Sequence, residues 1–262
     1  MNVLQGKLKV VLLVGGLGTR LRSVVPSTAK PMATIGDTPF LEIVLKQLIS
    51  QGFSQIVLCT GYRAADIEDR LGHGARWNIN IEYSREMSPL GTAGAVKFAE
   101  ALIRDDNPFI VMNGDSFLEL DLHNLLRKHH ACGGIATMAT VPVADRSRYG
   151  SVVVDSNERV VGFEEKSSVN SSAGLANGGV YVFAPQVFDF IPKGPASLEK
   201  DVFPAILDKG VFALRGNGLF IDIGTPADYT LAQKLATRLH SAAAGGFDGN
   251  TLPDADSGSY LI

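Results

Sequence analysis

Three glycines, two arginines and a lysine crowd together near the start of the chain. Gly15, Gly16 and Gly18 are followed by Thr19, Arg20, Arg22 and Lys30. Glycines in a turn between a strand and a helix let backbone N–H groups come close to an anion. Arg20 adds a planar fork suited to phosphate oxygens, and Lys30 a compact point charge. That combination suits the holding of a polyphosphate; on residue type alone it also suits a tight turn with solvated charges. The stretch is not a P-loop, which would end Gly-Lys-Ser/Thr where this chain reads Gly18, Thr19, Arg20. Nor is it the dinucleotide fingerprint, whose third glycine is replaced by Leu21.

Two carboxylates stand out farther along. Asp115 closes the run "FIVMNGD", at the carboxyl end of an expected strand, where open α/β sheets bind ligands. Asp222 lies inside "LFIDIG", with apolar neighbours on both sides. An acid in such a run is unusual unless it is paired or meets a cation. On residue type alone, Asp115 also suits a helix cap and Asp222 a turn.

The elements that must carry these residues can be read from periodicity. Residues 8–14, "LKVVLLV", form a continuous β-branched run, expected as a strand buried on both faces. A helix follows, with Thr38 as N-cap, Pro39 at the first helical position and Gly52 as its stop. Strands at "QIVLCT", "INIEYS" and "PFIVMNGD" then alternate with helices at "AADIEDRL", "GTAGAVKFAEALI" and "LHNLLRKHH", before a strand at "GIATMATVPV". That rhythm predicts a doubly wound, mainly parallel α/β sheet of Rossmann-like type. Past Tyr149 it changes to short strands at "GSVVVD", "RVVGFEE", "GGVYVF", "VFALRG" and "LFIDIG", expected as a smaller antiparallel part laid on the first. We expect one domain over 1–242, with a first half to about 143 and a second half from about 144. Residues 243–262 read as a flexible tail of small and polar residues.

Bulk composition excludes more than it selects. With 262 residues, 45% hydrophobic, 19% charged and a formal net charge of -3, nothing points to nucleic acid or an anionic membrane. The N-terminal apolar run is too short to span a bilayer and lacks a signal-peptide cleavage pattern, which predicts a cytoplasmic protein. Cys59 and Cys132 read as buried structural thiols. None of the five histidines has ligand spacing, and the His129 and His130 pair ends a helix, where positive charge suits the dipole.

The segment "GGLGTRLRSVVPSTAKPM" resembles the signature of the sugar-1-phosphate nucleotidyltransferases, and "PLGTAGA", "NGD", "EEK", "NGGVYV" and "FIDIGTP" extend that resemblance along nearly the whole chain. It implies a GT-A-like fold and in-line attack of a sugar-1-phosphate oxygen on the α-phosphorus of a nucleoside triphosphate. It makes Asp115 and Asp222 ligands of Mg2+, a hard cation that fits two carboxylates, phosphate oxygens and water. Arg20 would hold the departing β- and γ-phosphates, and Lys30 would steady the triphosphate. Gly15, Gly16, Gly18, Thr19, Gly91, Thr92 and Gly114 would line the nucleotide. Lys166 would grip the sugar phosphate, Glu165 would accept sugar hydroxyls, and Tyr149, Gly150, Asn177 and Gly178 would shape the sugar pocket. Glu86 occupies the base-facing segment, where a carboxylate suits the two adjacent donors of guanine, N1–H and N2–H2.

Within the family, "LRSVVPSTAKPM" and "SLEKDVFP" look most like the heptose-1-phosphate guanylyltransferases. Mannose-1-phosphate guanylyltransferase and glucose-1-phosphate uridylyl- or thymidylyltransferase are the alternatives. An inactive nucleotide-sugar sensor or regulatory subunit is the reading from another class. The expected partners are the triphosphate and the sugar 1-phosphate, and a homo-oligomer is compatible with the sequence.

Overall fold

The computed structural model describes residues 8–26, 28–105, 107–144, 151–164 and 173–245. In chain order, β1 (Lys9–Leu13) runs into the glycine loop, which ends in a single 3-10 turn at Thr19–Leu21; a second turn spans Lys30–Met32. A small hairpin, β2 (Thr34–Ile35) and β3 (Thr38–Pro39), feeds α1 (Phe40–Ser50). Then come β4 (Gln55–Thr60), α2 (Ala64–Leu71), β5 (Asn80–Arg85), α3 (Gly91–Phe98), α4 (Glu100–Ile103) and β6 (Phe109–Asn113). After β7 (Ser116–Leu118) and α5 (Leu122–Cys132), strands dominate: β8 (Ala136–Val143), β9 (Ser151–Val154), β10 (Val160–Glu164) and β11 (Gly174–Phe183). A π-type turn at Leu198–Val202 and α6 (Phe203–Ile206) lead to β12 (Val211–Arg215) and β13 (Phe220–Asp222). Helices α7 (Pro226–Lys234) and α8 (Ala236–Ala243) follow.

Apart from Lys9, which pairs with Glu82, β1 is apolar because both its faces are covered. Val10 and Leu12 join one core and Val11 the other, all at 0% exposure. β4 and β6 flank β1 in parallel, with β5 outside β4. One layer is built from α1, α2, α5, α7 and α8. The other is built from α3, α4, the 185–191 segment and the 198–206 segment. The doubly wound expectation is met.

The second half does not form a separate layer. β11 pairs antiparallel with β6, β8 pairs with β11, and β12 runs parallel to β8, so that one nine-stranded sheet unites both halves. β11 also begins earlier than its apolar run suggests. Between Asn177 and Tyr181 its register on β8 shifts, so the "NGG" stretch is a bulge within a strand rather than a connecting turn. Gly179 supplies the positive φ, +71°, that the bulge needs.

Other expectations need correction. Thr38 does not cap α1: it pairs in the hairpin opposite Ile35, and Pro39 takes the N-cap position with Phe40 beginning the helix. The expected helix from Gly91 breaks at Ala99 into α3 and α4. Cys132 is half-buried, whereas Cys59 is buried and its thiol is pushed up to about 12 by burial and then by Glu86. His129 adds no charge to the end of α5: burial, then His130, pushes it down to about 4, and Nδ1 lies 3.1 Å from Thr137 Oγ1. Ala243, placed at the head of the tail, is a fully buried residue of α8, and residues 246–262 lie outside the described residues. Among the described residues, no helix is long and apolar enough to cross a membrane.

Candidate active site

The glycine loop leaves β1 at the carboxyl end of the parallel strands and bends over the end of β4. Val14 N–H donates to the Cys59 carbonyl at 3.0 Å, and Tyr62 N–H donates to the Gly15 carbonyl at 3.3 Å. Gly18 adopts φ +59°, and a Cβ there would lie 2.8 Å from Lys30 Cβ. The loop therefore rests directly on Lys30, which fixes the lysine stem beneath it. Residues of the loop line a cleft of about 300 Å³ together with Arg20, Lys30, Asp115 and Gly224.

Asp115 sits just past β6, and Asp222 ends β13. β13 pairs antiparallel with β7 so that Asp222 faces Ser116, and Ile223 N–H donates to the Asp115 carbonyl at 3.1 Å. Two acids far apart in sequence thus arrive on neighbouring backbones. Lys30 Nζ meets both, 2.7 Å from Asp115 Oδ2 and 3.4 Å from Asp222 Oδ1. The facing carboxylate oxygens can be no farther apart than the sum of those two contacts.

The electrostatics of this triad are unequal. Burial works against the Lys30 ammonium, but Asp115 and then Asp222 outweigh it and hold the lysine above its usual range. Asp222 shifts upward although it is paired: burial raises it, Lys30 opposes that, and the Asp115 charge adds to the rise. At Asp222 burial therefore outweighs the pairing with Lys30, whose single ammonium serves two carboxylates. With both acids ionised the cluster keeps a net negative charge.

That imbalance is what a divalent cation would correct, so the two carboxylates fit a hard divalent ion. Among the described residues no group of three or more His, Cys, Asp or Glu side chains comes together in a metal-binding array. A cation held by Asp115 and Asp222 must take its other ligands from phosphate and water, as hard, strongly hydrated ions do.

Arg20 projects from the 3-10 turn, is exposed, and has no ion-pair partner among the described residues. Its five donors are available to a ligand. Thr19 and Gly16 are exposed beside it. Arg22 stacks 4.6 Å from the Tyr62 ring and donates to the Leu17 carbonyl at 3.2 Å, which braces the loop from outside.

Glu86 follows β5 and points back at the glycine loop. A Cβ on Gly15 would lie 3.0 Å from Glu86 Oε1, and one on Gly61 would lie 2.8 Å from the same oxygen. Leu90 N–H donates to Oε2 at 3.2 Å. Burial lifts the Glu86 carboxyl above the usual range, and the Leu90 bond partly opposes this. Gly61 belongs to this site but escaped the sequence reading. It lies in "TGYRA", which carries no motif, and its role appears only when β4 lies beside β5.

Several expected ligand residues also have local structural work. Thr92 does not offer a free hydroxyl: it donates to Glu199 Oε2 at 3.1 Å and accepts from Leu198 N–H at 2.8 Å. Gly91 has φ +71°, and a Cβ there would lie 2.5 Å from the Ala196 carbonyl oxygen, so packing alone demands glycine. Gly114 is pressed on β1, where a Cβ would meet Val14 Cγ1 at 2.4 Å. Gly178 is buried against Leu118 and Ala139. Asn177 lies at the bulge, accepting from Gly179 N–H at 2.9 Å and donating to Tyr181 Oη at 2.7 Å. Tyr149, Gly150, Glu165 and Lys166 lie outside the described residues.

The nucleotidyl transferase family profile matches residues 9–238. The D-glycero-alpha-D-manno-heptose 1-phosphate guanylyltransferase of Aneurinibacillus thermoaerophilus is 38% identical over 232 residues, covering 87% of this chain and 97% of that protein. Mannose-1-phosphate guanyltransferase beta-B of Xenopus laevis is 34% identical over 260 residues, covering 94% of this chain and 71% of that protein. The crystal structure of HddC from Yersinia pseudotuberculosis complexed with GMP-PN matches with a TM-score of 0.77 at 34% identity, covering 87% of this chain and 98% of that one. The glycine loop, the two strand-end acids and the mixed sheet that joins them are therefore features of a chain that belongs to the nucleotidyl transferase family.

Proposed function

We propose that this enzyme transfers GMP from GTP to a heptose 1-phosphate, in the D-glycero-α-D-manno configuration, and releases pyrophosphate. A phosphate oxygen of the sugar 1-phosphate attacks the α-phosphorus of GTP. The new P–O bond forms as the bond to the β-phosphate breaks, which leaves GDP-heptose and pyrophosphate. No covalent enzyme intermediate is needed. A strong general base is also unnecessary, because a phosphate monoester has a second pKa of about 6 and is largely a dianion at neutral pH. The obstacle is mutual repulsion of two polyanions, so catalysis is positioning and charge stabilisation.

The observation that carries this reading is the Lys30 ammonium held between Asp115 and Asp222 at the mouth of the glycine loop. Asp115 and Asp222 would hold Mg2+, which when bound supplies charge neutralisation at the phosphate oxygens. Arg20 takes the β- and γ-phosphates from the rim, and loop N–H groups orient the triphosphate. Lys30 keeps a cation against the reacting phosphate and keeps the two acids in register. Lys166 and Glu165 serve the sugar phosphate and the sugar hydroxyls. Glu86 reads guanine N1–H and N2–H2 with its carboxylate, pressed against Gly15 and Gly61.

The heptose assignment is supported by the Aneurinibacillus relative, matched over nearly its full length. Mannose 1-phosphate is the second reading, favoured by the Xenopus relative. An inactive regulatory role would call for loss of the charged set, whereas Arg20, Lys30, Asp115, Lys166 and Asp222 are all present. A cytoplasmic setting, where nucleoside triphosphates are abundant, suits the reaction. The test is pyrophosphate release across a matrix of GTP, UTP, dTTP and ATP against heptose, mannose and glucose 1-phosphates. Fastest turnover with GTP and the heptose is expected. A preference for UTP or dTTP with glucose 1-phosphate overturns the assignment, and binding without turnover under Mg2+ restores the sensor.

A further inference from the structure

Tyr181 is completely buried, yet its hydroxyl is not idle. It accepts from Asn177 Nδ2 at 2.7 Å and donates toward Glu199 Oε1 at 3.4 Å. The other Glu199 oxygen accepts from Thr92 Oγ1 at 3.1 Å and Ser197 Oγ at 2.9 Å. Thr92, Glu199 and Asn177 are each half-buried, and the phenol is the closed floor that joins them.

The network has two well-anchored ends. At the nucleotide end, Ala93 and Gly94 both donate N–H groups to the Ala196 carbonyl, at 2.9 and 3.2 Å, and Leu198 N–H bonds Thr92. The segment 91–94 and the stretch 196–199 that carries Glu199 are therefore tied together by these bonds. At the sugar end, Asn177 also holds its own bulge through Gly179 N–H. Packing alone does not explain the phenol. The Tyr181 ring lies 5.9 Å from Phe183 and 5.1 Å from Phe203, and phenylalanine would fill the same space. A buried hydroxyl is retained at a desolvation cost unless its bonds are needed. Burial and the nearby Glu199 hold the phenol well above its usual range, so it remains a donor at any physiological pH.

We propose that Glu199, acting through Tyr181, is a positioning residue that couples the nucleotide segment at Thr92 to the sugar-phosphate bulge at Asn177, so that each substrate tightens the binding of the other. The inference rests on the nucleotide and sugar-phosphate assignments made under the proposed function. A substrate that orders one end of a shared hydrogen-bond chain removes part of the ordering cost at the other end, and the coupling must be reciprocal.

Calorimetry with a non-hydrolysable α,β-methylene GTP analogue and with heptose or mannose 1-phosphate measures this directly. In the wild type, saturating analogue is expected to lower the sugar-phosphate Kd by about fivefold or more, the lower end of ordinary coupling. In Tyr181→Phe and Glu199→Gln the factor should fall below about twofold, while Tyr181→Phe keeps its analogue Kd and its melting temperature near wild type. Should Glu199→Gln fail to fold, Tyr181→Phe carries the test, since it keeps the ring packing. Coupling that is absent in the wild type, or unchanged in Tyr181→Phe, overturns the inference alone. Failure of the wild type to bind either probe removes the proposed function as well, so the two failures are distinguishable.

Discussion

Lys30 meets Asp115 at 2.7 Å across 85 positions of sequence. The glycine loop sets the lysine, since Gly18 lies against its Cβ, and the end of β6 sets the acid. The same Nζ reaches Asp222 at 3.4 Å, so a single ammonium stands between two carboxylates that would otherwise repel. At 4 Å two unit charges interact by about 4 kcal/mol at an effective dielectric of 20, which is large enough to order the cluster.

Replacing this cation gives a two-sided expectation. Lys30→Met should lower turnover by about 10²- to 10³-fold, the usual loss when a preorganised stabiliser of phosphate charge is removed. The same variant, without nucleotide, should bind Mg2+ more tightly, because Asp115 and Asp222 lose their resident countercharge. Steady-state pyrophosphate release and Mg2+ calorimetry check the two halves. Turnover within twofold of wild type, with unchanged Mg2+ affinity, contradicts the role given to Lys30.

The acids themselves give the complementary result. Asp115→Asn and Asp222→Asn should each cut turnover by at least about 10²-fold, and the double variant should lose far less than the product of the two, as groups acting on one ion do. Raising Mg2+ should partly rescue each single variant and not the double. Independent, multiplicative losses would mean that the two acids do not share a ligand.

How much of this was legible in the sequence follows from where each interaction lives. The parallel half was readable because β1, β4 and β6 are buried on both faces, so their apolar runs are continuous. Asp222 draws attention in the sequence because a charge inside an apolar run is costly without a partner, whereas the roles expected of Arg20, Lys30 and Asp115 come from the resemblance of their motifs to the nucleotidyltransferase signature. Gly61 and Glu199 were not, because each acts only through a neighbour brought close by the fold. Gly61 meets Glu86 through the β4 and β5 pairing, and Glu199 meets Thr92 across 107 positions. Thr38 misled because hairpin pairing with β2 outcompeted a local cap, and His129 because burial decided its charge state, not its position at a helix end.

Base choice can be probed at Glu86 from two directions. Glu86→Gln keeps the shape but replaces one acceptor with a donor, which under the proposed base recognition would face guanine N1–H or N2–H2. The ratio of kcat/KM for GTP over UTP should fall by about 10- to 100-fold, the scale of a mismatched buried hydrogen bond. Gly61→Ala should move the same ratio without touching the charge, because its Cβ would intrude to 2.8 Å from Glu86 Oε1 and Gly61 needs no positive φ. An unchanged ratio in both variants would remove Glu86 from base recognition.

The buried imidazole of His129 makes a prediction about acid stability whose sign can be worked out. Burial holds its folded-state pKa down to about 4, with His130 contributing, against an ordinary value of 6.5. Above that ordinary value both folded and unfolded chains carry a neutral ring, and the residue contributes nothing to pH dependence. As pH falls through the interval between the two values, the unfolded chain takes up a proton that the folded chain refuses, so stability is lost progressively. Near and below the lower value the folded ring also protonates and the loss levels off, at about 3 kcal/mol in total. His129→Gln can still bond Thr137 Oγ1 but cannot titrate. Urea unfolding of both proteins at a series of pH values from 7 to about 4 isolates the effect, because the carboxylate contributions common to both cancel in the difference. The variant should lose less stability than wild type as pH falls, by up to that amount; parallel curves would show that the ring is protonated in the fold or that it is not excluded from water.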